Sequence, residues 1–159
     1  MKPGTYSFVV ILLSLACSLT LPLKAEEGVV PPSDQYKPEE VVTIQLVALK
    51  NNDSPFPGAG IRQTFAFARP DNKAVTGPVE RFANMIHTPA YSPLLNHLNH
   101  EVKRYSSDGD SVLMLVKVTT KSGDRYGFQW VVRKYNGSEC QNCWLTSMVS
   151  NAVKLKDDA

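Results

Sequence analysis

The apolar residues of this chain change their spacing once, and that change restricts the fold more than any other feature. Between residues 38 and 86 they recur every three or four positions, which is typical of helices that bury one face. From Leu98 to Ser150 they alternate with polar residues, which is typical of strands with one buried side. Helices followed by consecutive strands predict an α+β domain in which three N-terminal helices pack on an antiparallel sheet of about four strands.

Three helical segments follow from the apolar stripes of the first half. They are predicted over about residues 38–50, 61–68 and 78–87, and the sequence at 69–72 (RPDN) is expected to end the second helix. Gln45 lies beside the apolar stripe of the first helix. Because a buried amide needs hydrogen-bond partners, we expect Gln45 to face a cavity or to cap a loop.

Turn-forming dipeptides divide the second half into strands. The strands are expected over about residues 98–105, 112–120, 126–132 and 144–150, and the turns at Asp108-Gly109, Ser122-Gly123 and Asn136-Gly137. This regular spacing predicts an antiparallel meander. The aromatic side chains of the third strand are expected on the face of the sheet that the helices cover.

Residues 1–25 read as a secretory signal rather than as part of the fold. Lys2 precedes an apolar run, and Ala25 follows Leu23-Lys24 where a signal peptidase would cut. We therefore expect an exported, periplasmic or secreted protein with a flexible lead-in at 26–37, a single domain at 38–153 and a charged tail at 154–159. The alternative is an uncleaved N-terminal membrane anchor.

Cleavage near Ala25 also changes the charge of the protein. It removes Lys2 and Lys24 but no acidic residue, so the formal net charge falls from +2 to zero. No cluster of lysines or arginines remains to bind phosphate groups, which disfavours nucleic acid as a partner. Stable membrane insertion is not expected once the signal is removed.

Cys140 and Cys143 are the cysteines that remain after Cys17 leaves with the signal. In an oxidising compartment they are expected to form a local disulfide that holds the turn before the last strand. One alternative is a redox-active pair, although no helix N-terminus is predicted there to activate a thiol. Another is a zinc site shared with the two histidines of His97-x-x-His100, but we predict no metal.

The candidate pocket residues are Arg81, His87, Tyr91, His97 and Trp130. The first three are expected near a pocket mouth, where a histidine and a tyrosine can perform acid–base chemistry or simply hydrogen-bond a loop in place. Trp130 belongs to the strand rich in rings and is expected in the core or at a cavity. The chain has no phosphate-binding glycine loop and no HExxH or GxSxG motif, so no cofactor and no catalytic residue is predicted.

A set of short motifs resembles the family called domain of unknown function 4864. They are Gly60-Ile61, Phe65-Ala66-Phe67-Ala68, Pro70, Thr76-Gly77-Pro78, Arg81-Phe82, Met85, Tyr91-x-Pro93-Leu94 and Cys143-Trp144. The resemblance implies the cone-shaped fold of nuclear transport factor 2 and ketosteroid isomerase, in which helices pack into a strongly curved sheet around a pocket. It also implies a possible homodimer through the sheet face, and it transfers no activity.

The sequence thus favours an exported, non-enzymatic domain that binds a small apolar ligand or serves as an accessory or interaction module. One alternative is an isomerase-like or dehydratase-like enzyme that uses His87, Tyr91 or His97. The other is a redox or metal module built on Cys140 and Cys143.

Overall fold

A computed structural model describes residues 28–156 of the chain. The predicted signal and its cleavage point near Ala25 lie outside the described residues, as do residues 157–159. Within residues 28–156, no helix has both the length and the apolar character needed to cross a membrane.

The described helices are α1 (Pro38–Lys50), α2 (Ala59–Ala66), α3 (Pro70–Thr76) and α4 (Val79–Ile86), followed by a short 3-10 helix at Ser92–Leu94. Helix α1 begins as its sequence predicts. Pro38 occupies its first turn, and the Glu40 carboxylate accepts a 2.7 Å hydrogen bond from the Lys37 backbone N–H. Val42, Leu46 and Leu49, which form its predicted apolar stripe, are fully buried.

The number of helices differs from the prediction, because residues 28–156 contain four α-helices where three were expected. Residues 69–72 do not simply end the second helix; Pro70 starts α3 from an extended Arg69. Proline is well suited to the first turn of a helix, where its missing N–H has no intrahelical acceptor. Helix α3 has no buried residue, so it has no apolar stripe from which to predict it.

The strands are β1 (Asn99–Asp108), β2 (Ser111–Thr119), β3 (Arg125–Gly137), β4 (Cys140–Val149) and β5 (Val153–Lys154). The first four form an antiparallel sheet in the order β1-β2-β3-β4, and β5 pairs with β3. The expected turns at Asp108-Gly109 and Ser122-Gly123 connect β1 to β2 and β2 to β3. The predicted α+β class with an antiparallel sheet is therefore confirmed.

The connection between β3 and β4 differs from the prediction. Asn136-Gly137 was expected to be the turn, but β3 continues to Gly137 and pairs there with Cys140. The pairing shifts between Tyr135 and Gly137, and the Asn136 Oδ1 accepts a 2.6 Å hydrogen bond from the Asn142 N–H. The Asn136 side chain therefore stabilises an irregular part of the β3–β4 pairing. Asparagine side chains can bond nearby backbone groups in this way as well as in turns.

The predicted pairing of Cys140 with Cys143 is confirmed, but its location is not. The two cysteines form a disulfide with their Cα atoms 5.9 Å apart, and both lie inside β4 rather than before it. The bond spans Gln141 and Asn142, which lie opposite the single residue Asn136. The disulfide thus closes an irregular segment of β4.

One core lies between the helices and the sheet. Its sheet side consists of alternate residues of β2 and β3 together with one residue of β4. Its helix side consists of the α1 stripe together with residues of the later helices and of the segment that follows α2. The principal buried side chains are Val41, Val42, Leu46, Leu49, Ile61, Phe67, Phe82, Ile86, Leu94, Val112, Met114, Val116, Val118, Phe128, Trp130, Val132 and Leu145.

Both ends of the described chain pack against this core domain. The segment 26–37 was predicted to be a flexible lead-in, yet in its described part the Gln63 amide bonds both backbone groups of Val30, at 2.7 and 2.9 Å. Tyr36 packs on Phe67 with ring centroids 6.1 Å apart. At the other end, the Leu155 N–H donates a 2.8 Å hydrogen bond to the Arg125 carbonyl, so the predicted tail at 154–159 starts within the sheet.

Candidate functional site

A cavity of about 190 Å³ lies between the helices and strand β4. All four α-helices contribute to its wall, and so do the 3-10 helix, β3 and β4. The lining residues are Gln45, Leu49, Thr64, Ala68, Asn72, Thr76, Phe82, Met85, Ile86, Tyr91, Leu94, Trp130, Thr146, Ser147, Met148 and Val149. Most of this wall is apolar, with a small number of amide, hydroxyl and indole groups.

A chain of buried hydrogen bonds crosses one side of the cavity. The Trp130 indole N–H donates to the Thr146 hydroxyl at 3.0 Å, and that hydroxyl donates to the Gln45 Oε1 at 2.6 Å. The Gln45 Nε2 donates to the Thr64 carbonyl at 3.0 Å. Gln45, Trp130 and Thr146 are each at most 3% exposed. Gln45 thus faces a cavity, one of the two roles predicted for it.

Thr146 is held in place by its own backbone. Its N–H donates to the Phe67 carbonyl and its carbonyl accepts from the Arg69 N–H, both at 2.8 Å. These bonds form a short parallel bridge between Ala68 and strand β4. The segment after α2 therefore fixes the hydroxyl that Gln45 and Trp130 share, and the hydroxyl has little freedom to turn away.

Two other hydroxyl groups at the cavity are bonded less tightly. The Tyr91 hydroxyl lies 3.5 Å from the Val149 carbonyl, and the Ser147 hydroxyl lies 3.4 Å from the Val131 carbonyl. Hydroxyl–carbonyl hydrogen bonds are usually about 2.7–2.8 Å long. The O–H groups of Tyr91 and Ser147 are therefore donors that an occupant can readily recruit, and so is the Nδ2–H of Asn72, which lies 3.4 Å from the Thr146 carbonyl.

The cavity wall has little capacity for acid–base chemistry. Among the described residues that line it, Tyr91 alone has an ionisable side chain. General acid–base catalysis normally pairs groups that accept and release protons near neutral pH, such as histidine or a carboxylate. The lining is therefore largely apolar, with a few placed polar groups.

The five predicted pocket residues are divided among four locations. Tyr91 and Trp130 line the cavity together. His87 is exposed and lines a separate surface groove of about 410 Å³ that also contains Asp53 and Glu80. Arg81 is exposed on α4 and does not line the cavity.

His97, the fifth of these residues, is only 2% exposed and lies outside the cavity wall. Its Nδ1 is 2.7 Å from the Leu94 carbonyl, and its Nε2 is 2.8 Å from the Nδ1 of His100. Burial lowers the pKa of His97, the hydrogen bond to Leu94 opposes this effect, and the nearby His100 and Lys50 lower the pKa further. Burial and Lys50 also lower the pKa of His100.

The cysteines and histidines of the hypothetical zinc site do not assemble around a metal position. Cys140 and Cys143 are bonded to each other, whereas His97 bonds to His100 near the start of β1. Within residues 28–156, no group of three or more histidine, cysteine, aspartate or glutamate side chains is arranged to hold a metal ion.

Five polar lining residues were missed by the sequence analysis, namely Thr64, Asn72, Thr76, Thr146 and Ser147. Asn72 and Thr76 belong to α3, and their side chains bond each other at 3.2 Å. A polar residue on a helix without a buried stripe normally faces water, so nothing local distinguishes these two. Ser147 lies in a strand, where a small hydroxyl is compatible with either face.

A comparison with models of known protein families finds no match to this chain, and comparisons with curated proteins and with solved structures find no significant similarity either.

Proposed function

We propose that this protein is a binding protein that holds a small organic molecule in the cavity between its helices and strand β4. The observation that carries the proposal is the character of the wall: largely apolar, with a few fixed polar groups and no ionisable side chain other than Tyr91 among the lining residues. Small-molecule sites usually combine an apolar lining with a few placed polar groups. Without a second proton-transfer group, the enzyme alternative has less support.

Binding can be tested with toluene, a small neutral hydrocarbon, and a matched pair of substitutions on α3. Thr76 lines the cavity, so Thr76→Phe places a ring where the ligand would lie. Val75 is its neighbour, is 69% exposed and does not line the cavity, so Val75→Phe adds the same ring to the surface. Toluene at ten times its dissociation constant should add about 1.4 kcal/mol to the free energy of unfolding of the wild type.

The expected result is a melting temperature that rises by about 2–6 °C with toluene in the wild type and in Val75→Phe, and that does not change in Thr76→Phe. Equal shifts in all three proteins would place the hydrocarbon elsewhere, and no shift in any of them would contradict the proposal. Native mass spectrometry of protein purified from its own host is the complementary measurement, because a retained organic adduct identifies the natural ligand.

We also propose that the domain is exported after cleavage near Ala25 and that it has the cone-shaped fold of the domain of unknown function 4864 family.

The exposed side of the sheet is a proposed homodimer surface, supported by the exposed side chains of Leu115 and Val153 beside a groove of about 650 Å³. Sedimentation equilibrium of the mature protein tests the dimer, and a monomer at micromolar concentration would contradict it.

A further inference from the structure

The size of the cavity limits what can fill it. An engineered apolar cavity of about 150 Å³ in another protein holds one benzene molecule. The cavity of this protein, at about 190 Å³, has room for a single ring with a small substituent. A steroid or a long acyl chain would leave most of its surface outside.

The charge of the wall limits the occupant further. The nearest cations on the adjoining helix α3 and its N-terminus already have partners: Lys73 lies 3.7 Å from Glu139, and Arg69 lies 3.2 Å from Asp71 and donates to the Lys134 carbonyl. No lining residue among those described carries a full charge at neutral pH. Burial of an ion without a partner is strongly unfavourable, so a neutral occupant is favoured over its charged analogue.

The hydrogen-bond donors of the wall differ in how well they are bonded within the protein. The Thr146 hydroxyl donates to the Gln45 Oε1 at 2.6 Å, and the Trp130 N–H donates to the Thr146 hydroxyl at 3.0 Å, so both donors already have good acceptors. The Tyr91 hydroxyl, in contrast, lies 3.5 Å from its carbonyl partner, slightly farther than the Ser147 hydroxyl and the Asn72 amide nitrogen lie from theirs, at 3.4 Å. A ligand oxygen placed nearer to Tyr91 would replace a weak hydrogen bond with a better one.

From these three observations we propose that the ligand is an uncharged molecule of one-ring size that carries an oxygen hydrogen-bond acceptor, and that Tyr91 donates to this oxygen. This inference rests on the proposed binding function and adds the chemical class of the ligand. It also gives Tyr91 the role of a specificity-determining residue.

Three probes of similar size separate the parts of the proposal. Cumene is neutral and has no oxygen, acetophenone is neutral with a carbonyl oxygen, and benzoate carries a charge. Trp144→Phe leaves Trp130 as the only tryptophan of the chain, so fluorescence of this variant reports directly on the cavity wall. Binding of each probe is measured in this background with Tyr91 present and with Tyr91→Phe.

We expect cumene and acetophenone to change the Trp130 emission in a saturable manner, and benzoate to bind at least about 100-fold more weakly than acetophenone. Tyr91→Phe should weaken acetophenone by about 3- to 10-fold and leave cumene unchanged, because only the ketone loses a hydrogen bond. A second readout needs no variant: the carbonyl stretch of bound acetophenone should lie at lower frequency than in hexane.

The failures of this inference and of the proposed function are distinguishable. The proposed ligand class would be wrong if benzoate bound as well as acetophenone. It would also be wrong if Tyr91→Phe weakened the binding of cumene and acetophenone equally. In either case the cavity would still be a binding site. A carbonyl stretch equal to that in hexane would overturn the role of Tyr91. If no probe binds, or if Thr76→Phe does not block binding, the proposed function fails as well.

Discussion

His97 has both ring nitrogens in hydrogen bonds, and this arrangement determines its tautomer. A carbonyl oxygen only accepts, so the Nδ1 facing Leu94 carries the hydrogen in the neutral ring. The Nε2 is then a lone pair that accepts from the Nδ1–H of His100. Protonation of His97 would place an N–H against that donor, near Lys50 and at a site with almost no solvent contact.

The stability of the protein should therefore fall as the pH falls from 7 to 5. The pKa of His97 is lowered by burial in the folded state, whereas in the unfolded chain it is about 6.5. Below about pH 6.5 the unfolded state binds more protons, so the free energy of unfolding decreases, by an amount on the order of 1 kcal/mol. Urea unfolding at several pH values measures this decrease.

The substitution His97→Asn tests the assignment, because asparagine can still donate to the Leu94 carbonyl but does not titrate. It should reduce the loss of stability between pH 7 and pH 5, with His100 accounting for what remains. His87→Asn is the control for removing a histidine, since that side chain is exposed at the end of α4. An unchanged pH dependence in His97→Asn would show that the buried ring is not responsible.

At the scale of elements, α1 and α2 are in close contact at Gly60. A Cβ atom built there collides with the Ala48 carbonyl group and with the backbone of Asn52. The Gly60 N–H donates a 3.0 Å hydrogen bond to the Asn52 carbonyl, and the Asn52 side chain accepts from the Ile61 N–H at 3.0 Å. The absence of a side chain at Gly60 is thus what lets these backbones meet.

Gly60→Ala should destabilise the protein by about 1–3 kcal/mol, the usual cost of forcing atoms into a packed interior. A loss of stability would be the opposite of the usual effect, because alanine normally stabilises a helix relative to glycine by up to about 1 kcal/mol. Thermal or urea unfolding gives the difference directly. A variant as stable as the wild type, or more stable, would show that the two helices separate easily.

At the scale of the whole molecule, the structured part of the chain begins before the first predicted helix. The side-chain amide of Gln63 bonds the N–H and the carbonyl of Val30, as a neighbouring strand would. A flexible, proline-rich segment would leave these backbone groups in water. The domain therefore uses part of its lead-in to cover α2.

Hydrogen exchange should report this contact. We expect the Val30 amide to exchange more slowly than a free peptide amide, and Gln63→Ala to raise its exchange rate by about tenfold, the effect of losing roughly 1.4 kcal/mol of local bonding. Amides of strand β2, such as that of Val116, provide the control and should stay protected. Fast exchange at Val30 in the wild type would contradict the docked arrangement.

Much of the architecture follows from short-range patterns. The spacing of apolar residues identifies α1, α2, α4 and the strands β2, β3 and β4, because one buried face imposes its own period on each element. Strand β1 has no fully buried residue, and the turn at Asp108-Gly109 locates its end. The same pattern misses α3, whose residues are not buried, and it misplaces the last turn, where Asn136 bonds Asn142 instead of ending the strand. Turn-forming residues have several local uses, and only their partners decide among them.

The sequence by itself determined the α+β class, most element positions and the availability of Cys140 and Cys143 for a local bond. It also identified Gln45 as a buried amide in need of partners. Only the tertiary structure decided that Gln45 meets Thr146, far along the chain, and that Tyr91 and Trp130 share a wall from which His87 and His97 are absent. The physical reason is that periodicity records which side of an element is buried, whereas a cavity depends on which buried sides face one another.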